Sequence, residues 1–139
     1  MSFNSIYDVS GSAMRAQVMR LDTIASNLAN ADTASATEAG AFRALKPVFA
    51  ALYKQTADSQ SLSAEVQMLG VTTSSRPVEQ RYEPNNPLAN QDGYVFYSNV
   101  NVLEEMADMM SASRSYQTSV EVMGRVSSMQ QSVLRLSGQ

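Results

Sequence analysis

The chain has 139 residues, a formal net charge of −3, and neither cysteine nor histidine. That length fits one domain, or one with a small extension, and an acidic pI near 4.8 argues against a nucleic-acid binder, which needs a basic footprint. Without Cys and His there are no disulfides, no thiolate chemistry, no imidazole base and no His or Cys zinc ligand, so an enzyme is disfavoured before any motif is considered.

Residues 5–31 place Tyr7, Gly11, Met14, Val18, Leu21, Ala25 and Leu28 at alternating steps of four and three, with Ile6, Ala13 and Ile24 widening the stripe. This heptad-like spacing predicts an amphipathic helix. The opening "MSFNSIYDVSGSAMRAQ" has no basic or apolar signal region, so no cleaved secretory signal is expected. No apolar run reaches bilayer length, and a cytoplasmic protein is the default unless export uses an uncleaved route. The helix closes on "NLANAD". Asparagine stops helices, and Asn30 falls near the left-handed position past the end. Asn27 and Asn30 also share a helix face, so their amides can bond across helices or to the returning backbone.

Residues 32–100 change character. "DTASATEAGA" reads as a loop-like spacer, and Arg43–Tyr53, around Pro47, as strand or helix. "KQTADSQSLSA" is polar and loop-like. "EVQMLGVTTSSRP" alternates as a strand does and shifts phase at Gly70, the mark of a β-bulge. "VEQRYEP" is a further short strand candidate. "NNPLANQDG" is a turn-rich loop ending in the hairpin signal Asp92-Gly93, and "YVFYSNV" is a strand leading into the last segment. The middle is expected to hold three or four short strands.

Residues 101–136 carry Val102, Met106, Met109, Ser113, Tyr116, Val120 and Met123, again at steps of four and three. The stripe then moves to Val122, Val126, Met129, Val133 and Leu136. This predicts a second long helix, with a stutter or a change of partner near 120–124, where Gly124 permits close approach or weakens the helix. Such a pair of helices, with small stripe residues, is marginal alone and calls for further helices around it. Methionine suits contacts with several partners.

No chemical constellation emerges. Glu104 and Glu105 are adjacent, diverge on a helix, and suit the dipole of its first turn; Asp108 is expected to face solvent. Ser10-Gly11-Ser12 lacks a partner base, and Gly70 and Gly93 are isolated from any phosphate-loop pattern. Arg114 and Tyr116 in "SASRSYQ" are either a surface Arg beside a stripe Tyr or an interface anchor.

Four stretches, "LDTIASNLANADT", "YEPNNPLANQDGYV", "NVNVLEEMADMMSASRSYQTSVEVM" and "LRLSGQ", together resemble the flagellar basal-body rod family, nearest to its proximal-rod members. The Asn-Leu-Ala-Asn motif belongs to the wider rod and hook family. The resemblance implies paired terminal helices packed as the inner layer of a helical tube, with the middle segment outside. It also implies export unfolded through the flagellar type III apparatus, without a cleaved signal, and assembly in the periplasm into the shaft that carries torque from motor to hook. Gly11, Asn27, Asn30, Asn86, Pro87, Arg114 and Tyr116 match family positions and take an assembly role. Many family members continue with Thr-Thr-Gly-Tyr or a similar sequence after the asparagine motif; this chain runs Asp32-Thr33-Ala34 and reaches Gly40-Ala41-Phe42-Arg43 later.

The resulting expectation is an α+β protein. Residues 1–31 and 101–139 form one discontinuous, coiled-coil-like helical domain, and 32–100 a small β-rich module or extended hairpin. The assembly interface is expected at Gly11, Met14, Val18, Leu21, Asn27, Leu28, Asn30, Asn86, Pro87, Met106, Met110, Arg114, Tyr116 and Val120. No catalytic, metal or cofactor-binding residue is expected. Partners would be copies of itself, other proximal-rod proteins, the distal-rod protein, the base-to-rod adaptor and the export apparatus, with no nucleic acid, membrane insertion or small-molecule substrate. The rival readings are a cytoplasmic helical adaptor and, third, an enzyme using groups other than His or Cys.

Overall fold

A computed structural model of the chain describes residues 3–55 and 62–137. Helix α1 spans Phe3–Ala29 and helix α2 spans Val102–Ser137. Between them lie β1 (Ala34–Ser35), a 3-10 turn (Glu38–Gly40), β2 (Leu45–Gln55), β3 (Leu62–Thr73), β4 (Glu79–Tyr82) and β5 (Tyr94–Tyr97). β2 and β3 form an antiparallel hairpin, and β1, β5 and β4 a separate antiparallel sheet in that order. Long terminal helices around a small β-containing middle are the expected α+β arrangement.

The strands depart from the expected short set. β2 and β3 have 11 and 12 residues, so strand extends into the polar stretch read as a loop; its centre, 56–61, lies outside the described residues. The spacer read as loop supplies β1, which pairs Ala34 with Tyr97 and Ser35 with Phe96. The bulge at Gly70 is present: Val48 pairs with Gly70 and Phe49 with Met68, leaving Leu69 as the extra residue. The β4–β5 hairpin turns where Asp92-Gly93 signalled it. Gly93 has φ +81°, and a Cβ there would lie 2.8 Å from a Tyr82 ring atom, so both conformation and space require glycine. Val95, fully buried, centres this sheet.

The helices run antiparallel. Tyr7 Oη donates to Gln130 Oε1 at 3.3 Å at one end, while Arg20, Thr23 and Ile24 share a cleft with Glu105 and Asp108 at the other. The buried and half-buried positions of α2 include Glu105, Met109, Ala112, Tyr116, Ser119, Met123, Val126 and Gln130, an unbroken four-three repeat, with Ser113 and Ser127 half-buried beside it. The seam therefore passes straight through 120–124 without a stutter. Gly124 faces open space; an added Cβ would meet nothing within 4 Å, so it serves no close approach inside the chain. The apolar stripe read from the sequence shares Met109, Tyr116, Met123 and Val126 with the seam. The other seam positions are mostly small or polar, and hydrophobicity does not mark them.

α1 lies between α2 and the hairpin. Ser12, fully buried, donates its hydroxyl to the Val9 carbonyl at 2.8 Å and accepts the Val66 N–H of β3 at 3.1 Å. Arg15 pairs with Glu65 at 3.6 Å, and the Arg20 guanidinium lies 5.8 Å from the Phe49 ring centre. At the far end Asn27, also fully buried, grips the peptide of Leu45. Its Nδ2 donates to the Leu45 carbonyl at 2.9 Å and its Oδ1 accepts the Leu45 N–H at 2.8 Å. Asn27 thus bonds the returning backbone, one of its two expected roles. Asn30 caps the helix differently from expectation. No described non-glycine residue has positive φ, and Asn30 closes the last turn with its amide, donating to the Ser26 carbonyl at 2.8 Å.

Removing the Asn27 amide orphans two buried backbone groups at once. Asn27→Ala is expected to cost about 2–4 kcal/mol, given one to three for each unsatisfied group with partial relaxation. Urea denaturation monitored by circular dichroism checks this.

Candidate functional site

One side of the helix pair turns away from the strands. On α1 the residues that reach the hairpin are Ser12, Arg15, Arg20 and Asn27. Gly11, Val18 and Asp22 lie roughly 80° or more around the helix from Ser12, Arg20 and Asn27 at 3.6 residues per turn, and the long Arg15 side chain spans from their edge to the hairpin. On α2 Glu104 and Asp108 flank the strand side: Glu104 meets Arg76 at 2.7 Å, and Asp108 shares a cleft with Leu45, Lys46 and Pro47. Met106, Met110 and Val120 occupy the opposite flank and are 51%, 56% and 46% exposed.

Where the two free flanks adjoin, Gly11, Met14, Arg15, Val18, Met19, Asp22 and Tyr116 line an open, mainly apolar groove of about 500 Å³. Its middle is left open because Gly11 has no side chain; a Cβ there would meet nothing nearer than Arg15 Nη1 at 3.8 Å. Leu21 and Leu28 are half-buried on the same helix. The expected residues Gly11, Met14, Val18, Tyr116, Met106, Met110 and Val120 thus gather on one surface.

The others do not. Asn27 and Asn30 are used inside the chain. Arg114 sits two residues before Tyr116 and so points almost oppositely; it lines a shallow depression with Ala107, Met110 and Ser111 on the back of α2. Asn86 and Pro87 belong to the 83–93 loop. There Asn86 donates to Glu83 Oε2 at 2.8 Å and accepts the Leu88 N–H at 3.0 Å, which holds the turn that exposes Pro87.

Sequence reasoning missed the junction that joins helices to strands. Asn99 Oδ1 accepts the Ala44 N–H at 2.7 Å, and its Nδ2 donates to the Arg76 carbonyl at 2.7 Å. Asn101 caps α2 by accepting the Leu103 and Glu104 N–H groups at 3.1 and 3.3 Å. The sequence marks Glu105 only as an acid that suits the dipole of the first turn. Its side chain is only 3% exposed and pairs with Lys46 at 3.2 Å, because α2 lies against the start of β2. The available signal was position: Glu105 stands four residues before Met109 in the four-three repeat.

The small sheet has its own charge arrangement. Glu79 and Arg81 form a bidentate pair at 2.9 and 3.2 Å, and Arg81 stacks 4.5 Å from the Tyr97 ring centre. The hydrogen bonds from Arg81 hold the Glu79 carboxyl below its ordinary pKa. Desolvation, then the Glu83 carboxylate that accepts its hydroxyl, raises the Tyr97 pKa. Among the described residues no group of three or more Asp or Glu side chains is placed to hold a metal ion, and no helix is long and apolar enough to cross a membrane.

Paired terminal helices, an internal asparagine clamp and a broad apolar face define a structural, assembling type of protein. Comparison with known proteins gives the same class. Residues 8–37 match the family described as flagella basal body rod protein, and residues 91–136 the one described as flagellar basal body rod FlgEFG protein C-terminal. The chain is 43% identical over 136 residues to flagellar basal-body rod protein FlgC of Salmonella typhimurium, covering 98% of each. It is 38% identical to FlgC of Yersinia enterocolitica over 98% of each, and 36% identical to FlgC of Buchnera aphidicola subsp. Acyrthosiphon pisum over 99% of each. The chain belongs to the flagellar basal-body rod protein family, in its FlgC group.

Two outcomes follow from the electrostatics. Lys46→Met leaves a buried carboxylate unpaired and is expected to destabilise by about 2–4 kcal/mol, whereas Glu105→Gln leaves a lysine that water already reaches and costs about 1 kcal/mol. Parallel denaturation curves test the inequality. Tyr97 has a raised folded-state pKa, so its contribution to stability is complete below the unfolded tyrosine pKa and is lost as pH rises through the folded one. Ultraviolet titration is expected to show one phenol ionising above the ordinary tyrosine range, and Tyr97→Phe removes that phase.

Proposed function

We propose that the face shared by α1 and α2 is the surface through which this chain polymerises into the proximal part of the flagellar rod. The chain is a structural subunit of the basal-body rod, from a family of structural proteins and not of enzymes. The observation that supports the reading is the placement of large apolar side chains. The intrachain seam is closed by small or polar residues such as Ala112 and Ser119, while Val18, Met106, Met110 and Val120 face outward beside a groove. A contiguous exposed apolar surface of this kind marks an interaction site.

In this reading residues 1–31 and 101–139 are the shaft-forming domain and 32–100 the outer module that ties neighbours together. The partners are copies of this chain, other proximal-rod proteins, the distal-rod protein and the base-to-rod adaptor. The subunit leaves the cytoplasm through the flagellar type III apparatus with no cleaved signal and acts in the periplasmic rod, where many lateral helix contacts resist twisting and pass torque to the hook.

Deletion of the gene in the source bacterium is expected to abolish swimming and leave basal bodies without rods in electron micrographs; intact rods without the gene defeat the reading. A substitution separates assembly from folding. Met106 is half in water, so Met106→Glu should change monomer stability by no more than about 0.5 kcal/mol while preventing rod assembly and leaving export intact. Leu21→Asp is expected to block assembly too. Normal rods from either variant show that the face is not the interface.

A further inference from the structure

The exposed apolar side chains of α2 change flank along its length. Up to Val120, the side chains of Met106, Met110 and Val120 lie roughly 100° to one side of the seam, and beyond it those of Val122 and Met129 lie roughly 80° to the other, at 3.6 residues per turn. These five are 39% to 56% exposed. The seam runs straight beneath both sets, so the switch is not a change of partner inside the chain. The first flank adjoins the α1 groove on the side away from the strands; the second shares its flank with Glu104 and Asp108, on the strand side.

Two apolar surfaces on opposite sides of one helix pair cannot meet within one copy. Their shapes are complementary. The first is an open groove between helices, with Gly11 and Tyr116 at its lining; the second is a ridge whose two apolar side chains stand seven residues apart. Their charges match as well. Asp22 stands at the groove and Arg125 stands beside the ridge. Both are exposed, and neither has an ion-pair partner among the described residues.

We propose that the groove receives the Val122 and Met129 ridge of a second copy of this chain, with the second copy's Arg125 facing Asp22. This rests on the polymerisation reading above and adds to it the partner and the two faces. Because donor and acceptor patches differ and lie on opposite flanks, each added copy leaves one groove and one ridge free. The contact is heterologous, so it propagates as a ring or helix and does not stop at a dimer. The docked ridge makes a third helix beside α1 and α2, with the usual close-packed axial spacing of about 8–10 Å.

The absence of native cysteine makes the test clean. Val18→Cys and Met129→Cys, singly and together, are introduced in cells that build flagella, and isolated basal bodies are treated with a short bis-maleimide. The expected result is homodimers and higher multiples from the double variant and none from either single variant. Rods that contain the double variant but give no homodimer, or only a cross-link to a different protein, overturn the proposal and leave the rod reading standing. Rods that persist in the deletion strain instead defeat the rod reading itself. A charge exchange covers the case in which the cysteines disturb assembly: Asp22→Arg and Arg125→Asp each reduce swimming, and the double variant restores it. A double variant no better than the single ones overturns the proposal.

Discussion

The placement of the hairpin on the helices depends on the grip of one buried amide on one peptide group. Asn27 presents a donor and an acceptor in one plane, the same pair that a peptide presents, and Leu45 offers its N–H and C=O to them outside the β2–β3 ladder. The contact fixes the end of α1 against the start of β2, and hence the line along which the hairpin lies on the helix. Ser12 repeats the device nearer the other end by accepting the Val66 N–H. Asn99 then ties Ala44 to Arg76, and Lys46 reaches Glu105 on α2. A serine, two asparagines and an ion pair connect both helices and both strands of the hairpin. Burial makes these polar contacts decisive, since each one lost leaves an unsatisfied group in a poorly hydrated place.

The second constraint is an inversion of the usual distribution of side chains. The wholly internal apolar residues are mostly small, Ala16, Ala41, Ala44, Ala112, Val95 and Val126, with Ile24 the largest. The long side chains of methionine, leucine and tyrosine are half-buried, as at Met109 and Tyr116, or exposed, as at Met106 and Met110. Small residues let α1 and α2 approach but bury little area, so the isolated pair has a modest hydrophobic term. Much of the chain's large apolar surface stays in water until something covers the outer faces.

The β modules divide the remaining work. The long hairpin stiffens α1 on the side away from the groove, and its bulge at Leu69 adjusts the twist so that the strands follow the helix. The small sheet holds the 83–93 loop through Tyr97, Glu83 and Asn86. Its arginine and glutamate pair is about half exposed and acts as a local brace.

The sequence alone determined the helices, the hairpin turn at Gly93, the bulge at Gly70, the absence of imidazole and thiol chemistry, and the family. These are local or compositional properties: periodicity, turn chemistry and motif survive without knowledge of what lies across the fold. Its apolar stripes on 5–31 and 101–136 were legible as stripes, but they mark the faces that look outward as much as the seam. Only the tertiary structure decided which face was which. Hydrophobic spacing says that a surface is to be covered and not by what, and here the internal seam alternates Met109, Tyr116, Met123 and Val126 with Ala112, Ser119 and a buried Glu105 that no hydrophobicity pattern distinguishes. The same reason hid Asn99 and the length of β2 and β3. A side chain that bonds a backbone group 55 positions away in the chain, as Asn99 does at Ala44, carries no local signal, and its role exists only once the two segments are brought together.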